Sequence, residues 1–175
     1  PLVPDCESIP FGDLEALARA VSTQRFAAFV VEPIQGEGGM RVPPAGYLRE
    51  AQALCREAGT LLVVAEVQTG LGRTGTMFAV DHLDVEPDVL TLAKSLSGGL
   101  VPIGAMLTRR DLWLKAYGTV QSFALHTSTF GGGSLASAAG LAALKVLRDE
   151  DLAANVIAGR DFFADPPDDD ATGDD

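Results

Sequence analysis

The sequence predicts an α/β fold in which a mostly parallel sheet is flanked by helices. Short apolar runs that are typical of buried strands alternate with segments whose apolar residues recur at helical spacing. The clearest strand is the apolar run from Leu61 to Val64, and the clearest helix is the alanine- and leucine-rich stretch from Ser134 to Arg148. Nearly half of the 175 residues are apolar, which is enough for one domain with a sizeable core.

The N-terminal half predicts helices and strands in alternation. A first amphipathic helix is expected from Asp13 to Val21, with acidic residues early and an arginine late. A strand is expected from Phe26 to Val31 and ends just before a proline. A second helix is expected from Gly46 to Ala58, and Gly59 stops it before the strand at Leu61.

The C-terminal half continues the same alternation. The apolar runs from Val89 to Ala93 and from Ile103 to Thr108 predict two further buried strands. A helix is expected from Arg110 to Ala116, and residues 118–133 are expected to form a loop before the alanine-rich helix. Another helix is expected to start near residues 149–151.

The two ends of the chain differ in composition from the domain between them. Residues 1–10 contain three prolines and predict an extended linker, so the domain is expected to cover residues 11–163. Residues 164–175 are rich in aspartate and proline and cannot bury enough apolar surface to offset their ordering entropy, which predicts a disordered acidic tail. The net charge of −11 argues against nucleic acid as a partner.

The expected compartment follows from hydropathy and from the cysteines. No apolar run is long enough to span a bilayer, and the first residues lack the layout of a signal peptide, so no membrane partner is expected. Cys6 and Cys55 are far apart and lack metal-ligand spacing. We therefore expect a cytoplasmic protein without disulfides, with Cys55 as a small core residue of its helix.

Polar residues follow two of the predicted strands. Glu66, Gln68 and Thr69 follow the strand at Leu61, and Lys94 follows the strand at Val89. Because ligands bind beyond the carboxyl ends of parallel strands, Gln68 and Lys94 mark a candidate site. A lysine at a strand end is commonly a surface residue, but a lysine whose amine is neutral can attack a carbonyl. The residues alone favour the two interpretations equally.

Two glycine-rich segments are candidates for phosphate binding. GLGRTG, from Gly70 to Gly75, matches the pattern G-x-G-x-x-G, but too few residues follow it for a crossover helix. We interpret it as a loop with positive φ angles, and a nucleotide-dependent oxidoreductase is a remote alternative. HTSTFGGG, from His126 to Gly133, suits either a phosphate or a plain loop with Ser134 as helix N-cap. His82 and His126 match no metal or triad pattern, so no metal site is predicted.

Four blocks taken together resemble the class III aminotransferases, the pyridoxal-phosphate enzymes of fold type I that include ornithine, acetylornithine, putrescine and 4-aminobutyrate aminotransferases. The blocks are VEPIQGEGG from Val31, EVQTGLGRTG from Glu66, AKSLSGG from Ala93 and HTSTFGGGSLA from His126. They stand in the family's order and approximate spacing. The resemblance implies that the chain is the central part of the large domain of such an enzyme.

The resemblance also implies roles for individual residues. Lys94 is similar to the lysine that binds pyridoxal 5′-phosphate covalently and then moves a proton in catalysis. Val67 would pack on the pyridine ring, and Gln68 would hydrogen-bond the phenolic oxygen of the ring. The other implied positions are Ser128 and Thr129, which would reach the phosphate held by the neighbouring subunit of a homodimer, and Glu37 and Glu32 on the substrate side.

One position departs from the family pattern. Ala65 stands where the family has an aspartate, which keeps the pyridine nitrogen protonated so that the ring acts as an electron sink. Flanking segments that supply the cofactor's own phosphate loop and the arginine for the substrate carboxylate have no counterpart here. We therefore expect an enzyme fragment of weak or no activity, derived from transfer of an amino group from an amine or ω-amino acid to a 2-oxo acid. A non-catalytic remnant that binds pyridoxal phosphate or forms dimers is the alternative.

Overall fold

The computed structural model describes residues 4–164, and it contains the helices and strands that the sequence predicts, with ends shifted by a residue or two. The helices are α1 (Leu14–Val21), α2 (Tyr47–Ala58), α3 (Arg110–Tyr117), α4 (Ser134–Asp149) and α5 (Leu152–Ala164). The strands are β1 (Ala28–Val31), β2 (Leu61–Ala65), β3 (Val89–Leu92) and β4 (Ala105–Thr108). Parts of the predicted linker and tail, residues 1–3 and 165–175, lie outside the described residues, so both expectations stay predictions.

The first two helices have the end residues that their sequences indicate. The Asp13 carboxylate caps α1 by accepting a hydrogen bond from the backbone N–H of Ala16 at 2.8 Å. Gly59 ends α2 in the left-handed region, with φ of 72°, which glycine adopts at little cost. These signals explain why the predicted and observed ends of α1 and α2 agree so closely.

The sheet has the strand order β1-β2-β3-β4. The strands β1, β2 and β3 are parallel, and β4 runs antiparallel to β3. Val64 of β2 lies between Val31 of β1 and Leu90 of β3, which fixes the register. The expectation of a mostly parallel sheet is confirmed, and the carboxyl ends of three neighbouring strands lie at one edge.

One core joins the sheet to the first two helices. The helices α1 and α2 contact each other, and α2 also contacts β2. The core includes residues of both helices and of the two central strands: Leu17, Val21, Tyr47, Leu48, Ala51, Cys55, Leu62, Val64, Leu90 and Leu92. No helix within residues 4–164 is long and apolar enough to cross a membrane.

The prediction of a buried strand at residues 103–108 is wrong in one respect. The strand is present as β4, but Ala105, Met106 and Leu107 are exposed. The reason is its position: β4 is the last strand in the order, and among the described elements only β3 makes extensive contacts with it. An apolar composition therefore predicted the strand correctly and its burial incorrectly.

Candidate functional site

The carboxyl ends of the parallel strands bring three predicted site residues to one edge of the sheet. Glu32 follows β1, Gln68 lies in the turn after β2, and Lys94 lies two residues beyond Leu92, the last residue of β3. Neighbouring strands lie about 4.8 Å apart, so these segments are adjacent. The parallel strands end at the same edge, as expected, and the roles of the three residues stay predictions.

Lys94 occupies an unusual backbone position. It begins the 3₁₀ helix Lys94–Ser97 with φ of 49°, a left-handed conformation that costs a non-glycine residue about 1 kcal/mol. Its side chain is exposed, and it makes no hydrogen bond or ion pair with other residues in the described part of the chain. Strain of this kind persists only where the surrounding structure fixes it and is frequent at functional sites.

Packing against α4 and hydrogen bonds to Val101 fix the turn that begins at Lys94. The helix α4 packs against Lys94–Ser97, and a Cβ built on Gly140 would lie 3.5 Å from the carbonyl oxygen of Leu96. The buried Ser97 hydroxyl donates to the carbonyl of Val101 at 2.6 Å and accepts from the Val101 N–H at 3.3 Å. The backbone under Lys94 is thus fixed, whereas its amine stays accessible to a ligand.

The turn after β2 carries Val67 and Gln68, which are both half-buried. Glu66, at the start of this turn, is 1 % exposed. One of its carboxylate oxygens accepts from the backbone N–H of Val80 at 2.9 Å, and the other accepts from the hydroxyl of Thr69. The turn is therefore tied to a buried side chain at its base.

The Gln68 side chain also meets the loop that follows β1. A Cβ built on Gly36 would lie 2.5 Å from Oε1, 2.7 Å from Cδ and 2.8 Å from Nε2 of Gln68, so only glycine leaves room for this amide. The same loop is closed by paired backbone hydrogen bonds between Gln35 and Arg41, each of 3.0 Å. The QGEGG block and the EVQTG block are thereby brought together.

The two predicted substrate-side glutamates lie in this loop but differ in environment. Glu32 is half-buried, and its carboxylate accepts a hydrogen bond of 3.4 Å from the Gly36 N–H. Glu37 is exposed. Of the two carboxylates, only that of Glu32 contributes to the shape of the loop.

Ala65, the last residue of β2, is half-buried and pairs in register with Thr91. It lines a cavity of about 510 Å³ together with Glu32 and Gln35, at the open edge of β1. The nearest carboxylate in sequence, that of Glu66, is directed to Thr69 and Val80. Position 65 thus offers space but no anionic group.

Ser128 and Thr129 lie apart from this framework. Both are exposed, and among the described residues no hydrogen bond of residues 119–132 reaches further than Gly133. The expectation that Ser134 caps α4 is wrong, because Gly133 is the N-cap and Ser134 is the first helical residue. The loop offers free hydroxyls, but no hydrogen bond fixes it to the strand ends.

The GLGRTG segment is a loop, as its interpretation from sequence requires. Leu71, Gly72 and Gly75 have φ angles of 57°, 88° and 92°, and no helix opens within the segment. A Cβ on Gly72 would lie 2.9 Å from Leu147, and one on Gly75 would lie 2.7 Å from Ile157. These glycines therefore let the loop pack closely against α4 and α5. Because no helix opens within the segment, the nucleotide-binding interpretation is wrong.

The two cysteines are free thiols that differ in exposure. Cys6 is exposed and Cys55 is buried, and neither is in a disulfide. Burial raises the pKa of the Cys55 thiol to about 11. Within residues 4–164, no cluster of three or more histidine, cysteine or acidic side chains is placed to hold a metal ion.

Comparison with known proteins decides the family. A family model described as class III aminotransferase matches residues 5–166. The chain belongs to the class III aminotransferases. Aminotransferase PigE of Serratia sp. (strain ATCC 39006) is 52% identical over 155 residues, which are 89% of this chain and 18% of that protein.

Solved structures confirm the fold class of this class III aminotransferase. Ornithine aminotransferase of Toxoplasma gondii is 48% identical with a TM-score of 0.85, over 93% of this chain and 37% of that one, and its crystal structure has partial occupancy of PLP at the active site. Acetylornithine aminotransferase of Elizabethkingia anophelis is 40% identical with a TM-score of 0.77, over 89% and 38%. The chain thus spans less than two fifths of each of these relatives.

Two features of this class III aminotransferase were missed by sequence reasoning. The first is the pair of hydrogen bonds to the Glu66 carboxylate, and the second is the packing of Gln68 on Gly36. Strand alternation could have indicated the first, because Glu66 continues the apolar face of Leu62 and Val64. No sequence pattern indicates the second, since it joins two loops that are distant in the chain.

Proposed function

We propose that this class III aminotransferase uses pyridoxal phosphate to transfer an amino group from an amine or ω-amino acid to a 2-oxo acid. The proposal depends most on Lys94, an accessible amine on a fixed and strained backbone at a strand end. Family membership supports the same chemistry. Because the chain spans only part of its relatives, the activity is proposed for the protein that contains it.

The residues at the strand ends fit most of the cofactor. The Lys94 amine is accessible to an aldehyde, Val67 offers a half-buried apolar side chain after the neighbouring strand, and the Gln68 amide offers a donor that packs on Gly36. Pyridoxal phosphate, when bound, supplies a ring that withdraws electrons from the reacting carbon of the substrate. Ala65 does not fit the pyridine nitrogen, because it cannot provide a charge-assisted hydrogen bond.

Different side chains of the protein have different roles in the proposed reaction. Lys94 would bind the cofactor and afterwards carry a proton on its amine, which requires an amine that other side chains do not occupy; within the described residues the exposed Lys94 amine meets this requirement. Gln68 would orient the ring through its amide. Glu32 and Glu37 place carboxylates beside the same edge, where they would attract the amino group of a donor.

We further propose that the protein works as a homodimer in a reducing, cytoplasmic compartment. The exposed Ser128 and Thr129 make no hydrogen bond to the strand ends of their own chain, which suits residues that serve the phosphate site of a second subunit. Two unpaired cysteines in the described structure agree with a reducing compartment.

Titration with pyridoxal phosphate tests the proposal. The absorption band of the covalent lysine complex is expected with the wild-type protein and with Lys115→Ala, because Lys115 is an exposed residue of α3 far from the β3 end in sequence. The band should be absent with Lys94→Ala. A band that survives Lys94→Ala contradicts the assignment, and a wild-type protein without the band contradicts the proposed function.

The position of Ala65 favours a second candidate, a protein that binds the cofactor without transferring amino groups. Ala65→Asp separates the two, and the cavity beside position 65 has room for a carboxylate. If Ala65 limits catalysis, the substitution should raise amino-donor turnover at least about tenfold, since a charge-assisted hydrogen bond contributes about 1.5–3 kcal/mol. Unchanged turnover in a protein that binds pyridoxal phosphate would favour the non-catalytic candidate.

A further inference from the structure

Glu66 is a buried acidic side chain to which the proposed chemistry assigns no role. It is 1 % exposed, and it lies between Ala65 and the pair Val67 and Gln68. No ion pair connects it to a lysine, arginine or histidine within residues 4–164. A buried carboxylate without a cation is costly, so its two hydrogen bonds must carry its stabilisation.

Those two hydrogen bonds come from different parts of the chain. The Val80 N–H belongs to the start of the 3₁₀ helix Ala79–His82, which lies beyond the glycine-rich loop. The Thr69 hydroxyl comes from the far side of the turn that carries Val67 and Gln68. Thr69 and Val80 are themselves 6% and 4% exposed, so water does not compete for these donors.

The backbone of Glu66 makes two further hydrogen bonds that fix the same turn. Its N–H donates to the Thr91 carbonyl of β3 at 3.0 Å, and its carbonyl accepts from the Gly70 N–H at 3.0 Å. One residue therefore anchors the turn to the neighbouring strand, closes it at its end and joins it to the following helix. Val67 and Gln68 stand at the tip of a turn that has little freedom to move.

We propose that Glu66 is a positioning residue, which with Thr69 fixes the turn so that Val67 and Gln68 face the cofactor ring. This inference rests on the proposed use of pyridoxal phosphate at Lys94. Its physical basis is preorganisation: a binding group held in place by buried hydrogen bonds loses less entropy when the ligand arrives.

The chain offers a matched pair of substitutions that tests this role. Thr69→Val removes the hydroxyl that donates to Glu66, at the carboxyl end of β2. Thr60→Val removes a hydroxyl that is also buried, at 3% exposed, and that donates to the Phe26 carbonyl at 3.0 Å, before the other end of β2. Each change loses one buried hydrogen bond, so the two should lower the melting temperature by similar amounts.

The affinity for pyridoxal phosphate should separate the two variants. Thr69→Val is expected to raise the dissociation constant about tenfold, because Gln68 loses its fixed position, whereas Thr60→Val should change it less than about twofold. Thr69→Ser keeps the hydroxyl and should restore most of the affinity. Faster hydrogen exchange at the Val80 amide in Thr69→Val, and not in Thr60→Val, would report the loosened turn without any cofactor.

The outcomes distinguish failure of this inference from failure of the proposed function. If the wild-type protein takes up no pyridoxal phosphate, the proposed function is wrong and the positioning role falls with it. If the wild-type protein binds the cofactor but the two valine variants lose affinity equally, Glu66 and Thr69 serve stability alone. The same conclusion follows if Thr69→Ser binds no better than Thr69→Val.

Discussion

The EVQTG turn and the HTSTFGGG loop resemble the same family equally well, yet they are held very differently. In the turn, Glu66 and Thr69 are buried and hydrogen-bonded to each other. In the loop, Ser128 and Thr129 are exposed and Phe130 is 88% exposed. More broadly, the core draws on residues between Leu17 and Leu96, whereas none of residues 98–139, all described, is buried.

This difference separates two kinds of site residue. Gln68 and the backbone of Lys94 are placed by the packing of their own chain, through Gly36, α4 and the buried end of β2. Within the described residues Ser128 and Thr129 have no such hydrogen bonds to the strand ends, which agrees with the proposal that they serve a second subunit. Substitutions that displace Gln68 or Lys94 should therefore weaken cofactor binding within a single chain. Substitutions of Ser128 and Thr129 should weaken it only when a second subunit is present.

The largest effect on stability is expected from the titration of the Cys55 thiol, which lies in the core. If water reached Cys55, this effect would be absent, and the contrast between the buried core and residues 98–139, none of which is buried, would be wrong. Burial raises the pKa of the Cys55 thiol from the ordinary value of 9.0 to about 11. Between these two pKa values the unfolded chain releases a proton that the folded chain keeps, so the free energy of unfolding should fall by about 2.3 kcal/mol between pH 8 and pH 11. Denaturant unfolding at pH 8 and pH 11 measures this fall.

Two cysteine variants serve as controls for that titration. Cys55→Ala should lose this part of the pH dependence, whereas Cys6→Ser, which changes an exposed cysteine, should keep it. An equal fall in all three proteins would show that other groups cause it.

The next largest effect on stability is expected from alanine at Gly70 in the EVQTG turn, and alanine at Gly131 in the HTSTFGGG loop is the comparison. A Cβ on Gly70 would lie 2.8 Å from the Glu66 carbonyl oxygen and 3.2 Å from Leu92, so Gly70→Ala should cost about 2 kcal/mol of stability. A Cβ on Gly131 would lie 3.2 Å from the Ser128 carbonyl oxygen in an exposed loop without buried neighbours, so Gly131→Ala should cost less than about 0.5 kcal/mol. Equal costs from chemical denaturation would mean that the two regions are equally rigid.

Gly36→Ala should lower stability less than Gly70→Ala does, but it should weaken cofactor binding. Alanine there would displace only the end of the flexible Gln68 side chain, so the stability should change by less than about 1 kcal/mol. The affinity for pyridoxal phosphate should nevertheless fall severalfold, because the displaced amide is the proposed partner of the ring. Gly38→Ala is the control, since its Cβ would meet Gln35 instead of Gln68; an equal loss of affinity there would contradict the role of Gly36.

The smallest effect on stability is expected when Ser128→Ala and Thr129→Val are combined, because both side chains are exposed. The free energy of unfolding should change by less than about 0.5 kcal/mol. If the two residues serve a partner's phosphate site, mixing this variant with Lys94→Ala should restore activity, since one site of each hybrid dimer would then be intact. Mixtures that stay as inactive as the separate variants would place both residues outside the site of the partner subunit.

Much of the fold could be predicted from local sequence. Asp13 and Gly59 are end signals that act within a few residues, and the apolar runs of β2 and β3 supply the buried residues of the two central strands. The reversed direction and exposure of β4 could not be predicted, because they depend on which strand lies beside it and what covers it. Tertiary context decided both properties.

The candidate site was predictable to the same degree. Lys94 and Gln68 were indicated because strand ends in a parallel sheet converge, a rule that needs only strand assignments. The strained φ of Lys94 and the space at Gly36 were not indicated, because each results from contacts between segments far apart in sequence. The hydrogen bonds of Glu66 lie between these cases, since alternation buries the residue but does not name its donors.

The most direct measurement is to locate the lysine that binds the cofactor. The sequence has three lysines, Lys94, Lys115 and Lys145. Incubation with pyridoxal phosphate, reduction with borohydride and peptide mapping by mass spectrometry should place the label on Lys94 alone. Label on Lys115 or Lys145 to the same extent, or no label on Lys94, would contradict the account.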